Sequence, residues 1–197
     1  MARPRDFDET KVLDAAIDRF WNFGYGATSV RDLGDAMGLG PTSLYNAFGD
    51  KNALFARCLD RYLDNTLRER IGRAQATTSP RAAIEGFIND FVEESLVDPR
   101  GCMLVNAALE VAPHDTAIHD FVAARLGELE NFLTSRIAAG QHDGSIAATY
   151  PAESVARLLV TTILGLRVLA RSRPDPALLR GAARQALALL DPPPPTR

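Results

Sequence analysis

The residues with the clearest chemical potential lie between Thr28 and Lys51. Thr42, Ser43, Tyr45 and Asn46 follow a tight Gly38-Leu39-Gly40 turn and Pro41. Their hydroxyl and amide groups are short enough to reach base edges from a helix lying in the major groove of DNA. Lys11 and Lys51 are the only lysines among 22 basic residues, so Lys51 is not there by compositional habit. Patterns for catalysis are missing: there is no Gly-x-Ser-x-Gly elbow and no phosphate-binding glycine loop. His114, His119 and His142 are the only histidines, and the spacing of the first two does not place two metal ligands on one helical face. Glu93-Glu94 and the Glu128/Glu130 pair read as solvated helix faces. Cys58 and Cys102 are too few for a disulfide framework or a cysteine zinc site. The reading is a non-enzyme with no metal and no cofactor.

Groups of this kind need short helices to aim them, and the hydrophobic pattern is helical from end to end. In the first helix, Asp8 to Phe23, Val12, Leu13, Ala16, Ile17, Phe20 and Trp21 recur at helical spacing. A second helix runs from Ser29 to Met37, capped by Thr28 or Ser29, and a third from Pro41 to Phe48. Leu33, Met37 and Leu39 hold the second and third together. A fourth helix is predicted from Asp50 to Arg73, with its charged end from Arg68 to Arg73 in solvent. Five more are predicted: Pro80–Leu96, Cys102–Val111, Asp115–Ala139 (stopped before Gly140), Pro151–Arg171 and Asp175–Leu190. The fold class is all-α: a three-helix helix-turn-helix unit over residues 1–48, a larger helical bundle over 49–191, and a polyproline tail over 192–197.

Among 197 residues, 46% are hydrophobic and 24% charged, a globular balance. No apolar run approaches the ~20 residues of a membrane span. With no signal-peptide pattern at Met1, the expectation is a cytoplasmic protein without a membrane partner, on the nucleoid when bound to DNA. The net charge is −3, and the whole deficit lies in residues 1–50, where eight acidic groups face five basic ones. Net charge does not show which face carries which sign, so the motif must decide.

The run Thr28-Ser29-Val30-Arg31-Asp32-Leu33-Gly34-Asp35-Ala36-Met37-Gly38-Leu39-Gly40, followed by Ser43-Leu44-Tyr45-Asn46-Ala47-Phe48-Gly49-Asp50-Lys51, resembles the N-terminal domain of TetR/AcrR-type transcriptional repressors. The resemblance spans about Lys11 to Leu63, and its Leu-Tyr-x-x-Phe-x-x-Lys core is specific. The Gly101-Cys102-Met103-Leu104-Val105-Asn106 stretch is similar to one subgroup. Asn46 departs from the commoner histidine, so operator sequence does not carry over. The resemblance implies a homodimeric repressor on a palindromic double-stranded DNA operator, released by a small-molecule effector. Thr28 and Lys51 would hold phosphates at helix N-termini, with Ser29 and Arg31 beside them. Tyr45 would touch phosphate or a thymine methyl, and Thr42, Ser43 and Asn46 would read bases. Arg3 and Arg5 would form a minor-groove arm. The plain alternatives are core packing for Tyr45 and Phe48, and a frayed tail for Arg3 and Arg5.

The last two helices carry an apolar stripe that suggests a four-helix dimer interface through Leu158, Thr162, Leu166, Leu169, Ala183 and Leu187. The resemblance implies an effector pocket whose candidates are Phe55, Leu59, Tyr62, Phe87, Phe91, Cys102, Met103, Asn106, Phe121 and Arg125. That lining is mainly apolar and suggests a hydrophobic or aromatic effector. Two further readings stand beside this one. In the first, Cys102, at a helix start near Arg100, is a redox or electrophile sensor, as the matching Gly-Cys position is in some relatives it resembles. In the second, the chain is a helical scaffold that binds partners other than DNA.

Overall fold

The computed structural model describes residues 7–98 and 100–192. Arg3, Arg5 and most of the proline tail lie outside them. Ten α-helices follow one another: α1 (Glu9–Phe23), α2 (Val30–Met37), α3 (Pro41–Phe48), α4 (Lys51–Leu63), α5 (Glu69–Ala76), α6 (Pro80–Val97), α7 (Met103–Glu110), α8 (Thr116–Asp143), α9 (Ala152–Ser172) and α10 (Pro176–Ala188). No strand occurs among the described residues. A π-helical turn, Asp64–Arg68, joins α4 to α5 without a break, so one long rod leads away from the N-terminal unit.

Local chemistry sets the first three helices. Asp8 caps α1 through its carboxylate, which accepts from the Thr10 and Lys11 amides. Ser29 rather than Thr28 caps α2: its hydroxyl accepts from the Asp32 amide while the Asp32 carboxylate accepts from the Ser29 amide, a reciprocal box worth about 1 kcal/mol. The α2–α3 turn depends on two glycines. Gly38 sits at φ +65°, where side chains are disfavoured. A β-carbon on Gly34 would come within 2.8 Å of the Leu39 carbonyl oxygen, so only glycine lets the turn close over α2. Leu33, Leu44, Phe48 and Leu54 fill the space between these helices and α4, and Phe20 and Tyr25 both pack on Phe55 with ring centroids 4.9 Å apart.

Behind this unit, α6, α8, α9 and α10 form the bundle, and α8 against α9 is its most extensive contact. Two expectations need correction. Helix α8 does not stop before Gly140 but runs on to Asp143. The reason is packing: the missing β-carbon of Gly140 makes room for Ile146, which would stand only 2.5 Å from one. The stretch from Arg68 to Arg73 is not a solvated end either, because Arg70, Ile71 and Ala74 are buried against the bundle.

Candidate nucleic-acid interface and internal cavity

Helix α3 turns Leu44 and Phe48 into the core and leaves Thr42, Ser43, Tyr45 and Asn46 exposed as one face. Phe48 is buried in the core, and Tyr45, which the sequence left open between packing and contact, is half exposed. The start of α3 also differs from its neighbours. Asp8, Ser29 and Asp50 each cap a helix with a side-chain oxygen, whereas α3 begins at Gly40 and Pro41 with no such cap. Its first free amides therefore remain available to an anion. Local sequence carries that signal, a helix start without Ser, Thr, Asp or Asn, but the phosphate assignment from the resemblance passes over it.

The acidic residues of α1 are turned elsewhere. Asp14 forms a two-point pair with Arg61 at 2.7 and 2.9 Å, Asp18 pairs with Arg100 at 3.0 Å, and Glu9 pairs with Arg57. Each contact ties α1 to α4 or to the bundle. The acidic excess of the first fifty residues is thus largely spent on internal bonds.

One phosphate assignment changes. Thr28 is fully buried and its hydroxyl donates to the Gly24 carbonyl at 2.7 Å, so it fixes the α1–α2 turn instead of facing solvent. Lys51 does stand at the first position of α4, but its amino group lies 4.1 Å above the Tyr25 ring. Burial lowers its pKa while nearby Glu110 opposes the shift. Ser29 is exposed but occupied by the α2 box, and Arg31 is exposed.

The cavity of the bundle lies behind the rod. It is lined by Tyr62, Thr66, Arg70, Phe91, Cys102, Arg125, Ile163 and Arg167 with a leucine wall. Of the ten pocket candidates, Tyr62, Phe91, Cys102 and Arg125 meet there. Phe55 and Leu59 belong instead to the N-terminal core, Phe87 packs on Phe132, and Met103, Asn106 and Phe121 do not line it. The lining is mainly apolar, and beside the expected Arg125 it holds two arginines, Arg70 and Arg167, that the sequence did not offer. Arg167, only 3% exposed, donates from Nη1 to Glu94 at 3.0 Å and Ser95 at 2.9 Å. From Nη2 it donates to the Gly101 carbonyl at 2.9 Å and the Tyr62 hydroxyl at 3.3 Å. Glu94 also holds Arg70 at 2.5 Å and is therefore not a solvated residue. Burial, with Cys102 next, pushes the Tyr62 phenol far above its usual range.

Cys102 holds the N-cap position of α7 at the cavity edge without a side-chain capping bond, and the Arg100 guanidinium is held by Asp98 and Asp18 and stacks 3.8 Å over Trp21. Cys58 is buried, which pushes its thiol well up. No cluster of metal-ligating side chains occurs among the described residues, and no helix among them is long and apolar enough to cross a membrane.

The dimer candidates divide. Leu158, Thr162 and Leu169 stay at least partly exposed on α9, in line with Gly165, while Leu166, Ala183 and Leu187 are buried in the chain's own core. Partly exposed apolar side chains follow on α10 at Leu178 and Ala182, with Leu189 exposed just past its end.

Comparison with known proteins follows the same two-part division. A family model described as "Bacterial regulatory proteins, tetR family" matches residues 12–58, and one described as "Tetracyclin repressor-like, C-terminal domain" matches residues 80–186. The HTH-type transcriptional repressor ComR of Escherichia coli (strain K12) is 30% identical over 175 residues, which cover 86% of this chain and 82% of ComR. BdcR, an HTH-type transcriptional repressor of the same strain, is 43% identical over 140 residues, 62% of this chain and 70% of BdcR. A cysteine mutant of the TetR family transcriptional regulator CifR, solved with a 26-bp double-strand operator DNA, superimposes with a TM-score of 0.85 at 34% identity. The match covers 96% of this chain and 100% of that one. These relatives are transcriptional regulators, not enzymes.

Proposed function

Because this chain belongs to the TetR family of bacterial regulatory proteins, we propose that it is a homodimeric repressor that reads a palindromic operator with α3. The observation that carries this reading is the exposed Thr42, Ser43, Tyr45 and Asn46 face on a helix whose first amides lack a side-chain cap. The operator DNA bound to the similar regulator supports the same partner. Residues 1–48 act as the reading head, carried on the rod that begins at Lys51, and residues 49–191 form the sensing and dimerising bundle.

Release requires an effector that binds the DNA-incompetent arrangement better than the competent one. The cavity is connected to the reading head by three contacts. Tyr62 touches Arg167 through its hydroxyl and packs edge-on against Trp21 of α1, 4.9 Å between centroids. Arg100 joins the α6–α7 connection to Asp18 of α1. Glu110 of α7 accepts from the Tyr25 and Gly26 amides at 3.0 and 2.6 Å, in the turn that precedes α2. The π-helical turn lies beside the cavity through Thr66 and Leu67, where a change of helical pitch re-aims α4. A second reading takes modification of Cys102 as the signal, because its side chain lines the same cavity. Release by hypochlorite that persists in Cys102→Ser excludes it.

The test starts from genomic fragments retained by the wild type, beginning with the DNA upstream of its own coding sequence. On the selected fragment, Lys51→Ala weakens binding about equally on all sequences and reduces the salt slope by about one. Asn46→Ala shifts base preference at one position of each half-site and leaves the slope unchanged. An unaltered slope in the lysine variant removes its phosphate contact, and a wild type that retains no fragment leaves the scaffold reading.

A further inference from the structure

We propose that the bundle cavity is a receptor for a small organic monocarboxylate with an apolar body, held by Arg167, Arg70 and Arg125. The proposal deepens the effector reading above and rests on it. It starts from a charge imbalance. Arg167 and Arg70 are 3% and 8% exposed, and both donate to the same Glu94 oxygen, at 3.0 and 2.5 Å. Two buried guanidiniums thus share one carboxylate. The other acid whose charge Arg167 reaches, Asp98, is already held by Arg100 at 2.7 Å. Arg125 adds a third guanidinium, paired with Glu128 at 3.0 Å, while the neighbouring Arg68 is held by Asp60 and Asp64. A buried excess of about one positive charge is costly unless an anion offsets it.

The donors point to the same conclusion. Arg70 Nη1, Arg125 Nε and Arg167 Nε are all buried and without a hydrogen-bond partner. All three residues line one cavity. Buried donors are rarely left unmade, and guanidinium N–H groups match carboxylate oxygens in both geometry and charge. An excess of one charge suits a monoanion better than a phosphate dianion.

The remaining lining supplies the apolar half. Phe91, Leu129 and Ile163 face the cavity, and Leu104, Leu126 and Leu164 form a wall shared with a neighbouring apolar groove. The cavity volume is about 30 Å³ and that of the groove about 380 Å³. The carboxylate sits among the arginines, and the hydrocarbon displaces the leucine wall toward the groove. That displacement gives the ligand its differential affinity, because Leu104 and Leu126 belong to α7 and α8 and α7 carries Glu110 to the reading head.

Isothermal titration calorimetry on the full chain tests this, with sodium butanoate, hexanoate, octanoate, benzoate and phenylacetate, each beside its primary amide. At least one acid is expected to bind, with its amide roughly 100-fold weaker. If the alkyl series binds, affinity rises about fourfold per added methylene until the groove is filled. Arg167→Gln and Arg125→Gln each lower acid affinity by roughly 30-fold and leave amide binding unchanged. Arg125 is partly exposed and its variant keeps the test decisive if Arg167→Gln does not fold. Equal binding of acid and amide, unchanged affinity in the folded arginine variants, or no binding by any acid overturns the proposal. Calorimetry needs no DNA, so a negative result here leaves the operator reading intact. Carboxylate binding by a protein that retains no genomic fragment would overturn the repressor reading and spare this one.

Discussion

Glu94→Gln is expected to lower the unfolding free energy by roughly 3 kcal/mol. Glutamine keeps the shape of the side chain but removes the only carboxylate that Arg70 and Arg167 share. Two buried guanidiniums then lose the carboxylate between them, and breaking one partner of a buried ion pair costs far more than the intact pair contributes. The figure is set at the low end of the known range because the Glu94 side chain is itself a quarter exposed. Urea denaturation would read this as a lower midpoint with an unchanged slope, and melting should fall by roughly 6–12 °C. A loss under about 1 kcal/mol would mean that the network is hydrated and unimportant for folding.

Breaking the proposed dimer carries the largest expected effect on DNA binding. Leu158, Thr162, Gly165 and Leu169 lie one turn apart along the outer face of α9, with Leu158 48% and Leu169 36% exposed. In the proposed isologous interface each of these side chains meets the same helix of the second copy. Charging Leu158 and Leu169 together to Glu places four carboxylates in that interface. Sedimentation should show monomers at micromolar concentration, and affinity for a palindrome should fall by roughly 10² to 10⁴ as the second half-site contact is lost. Leu166 and Leu187 are unsuitable for this test, because they are buried in the protomer and their charged variants would unfold it. Dimers that survive the double change would place the interface elsewhere.

The parts of the molecule that were legible in the sequence are those fixed by local chemistry. Caps, glycine turns and the helical spacing of Val12 through Trp21 lie within a few residues of what they determine, so the helix-turn-helix unit and the exposed face of α3 follow from short-range pattern. The cavity depends on long-range pairing. Arg167 reads as a break in an apolar run and Glu94 as part of a solvated face, and only the fold joins them across 73 positions. Arg70 is obscured in the same way by its charged neighbours. Thr28 failed for a different reason: a hydroxyl before a helix fits capping, phosphate binding and turn closure equally well, and the choice depends on whether the Gly24 carbonyl is within reach. The division of the α9 stripe into core and outer face could not be read because both faces are apolar.

In the proposed complex the exposed face of α3 reads DNA. The most direct test is fluorescence anisotropy on the selected fragment, with wild type beside a triple variant, Thr42→Ala, Tyr45→Ala and Asn46→Ala. All three side chains are exposed, so the variant should keep its melting temperature and its dimer. It should lose at least roughly 100-fold in specific affinity while retaining the weak, salt-dependent binding common to all sequences. A triple variant that binds the selected fragment as tightly as the wild type would contradict the account.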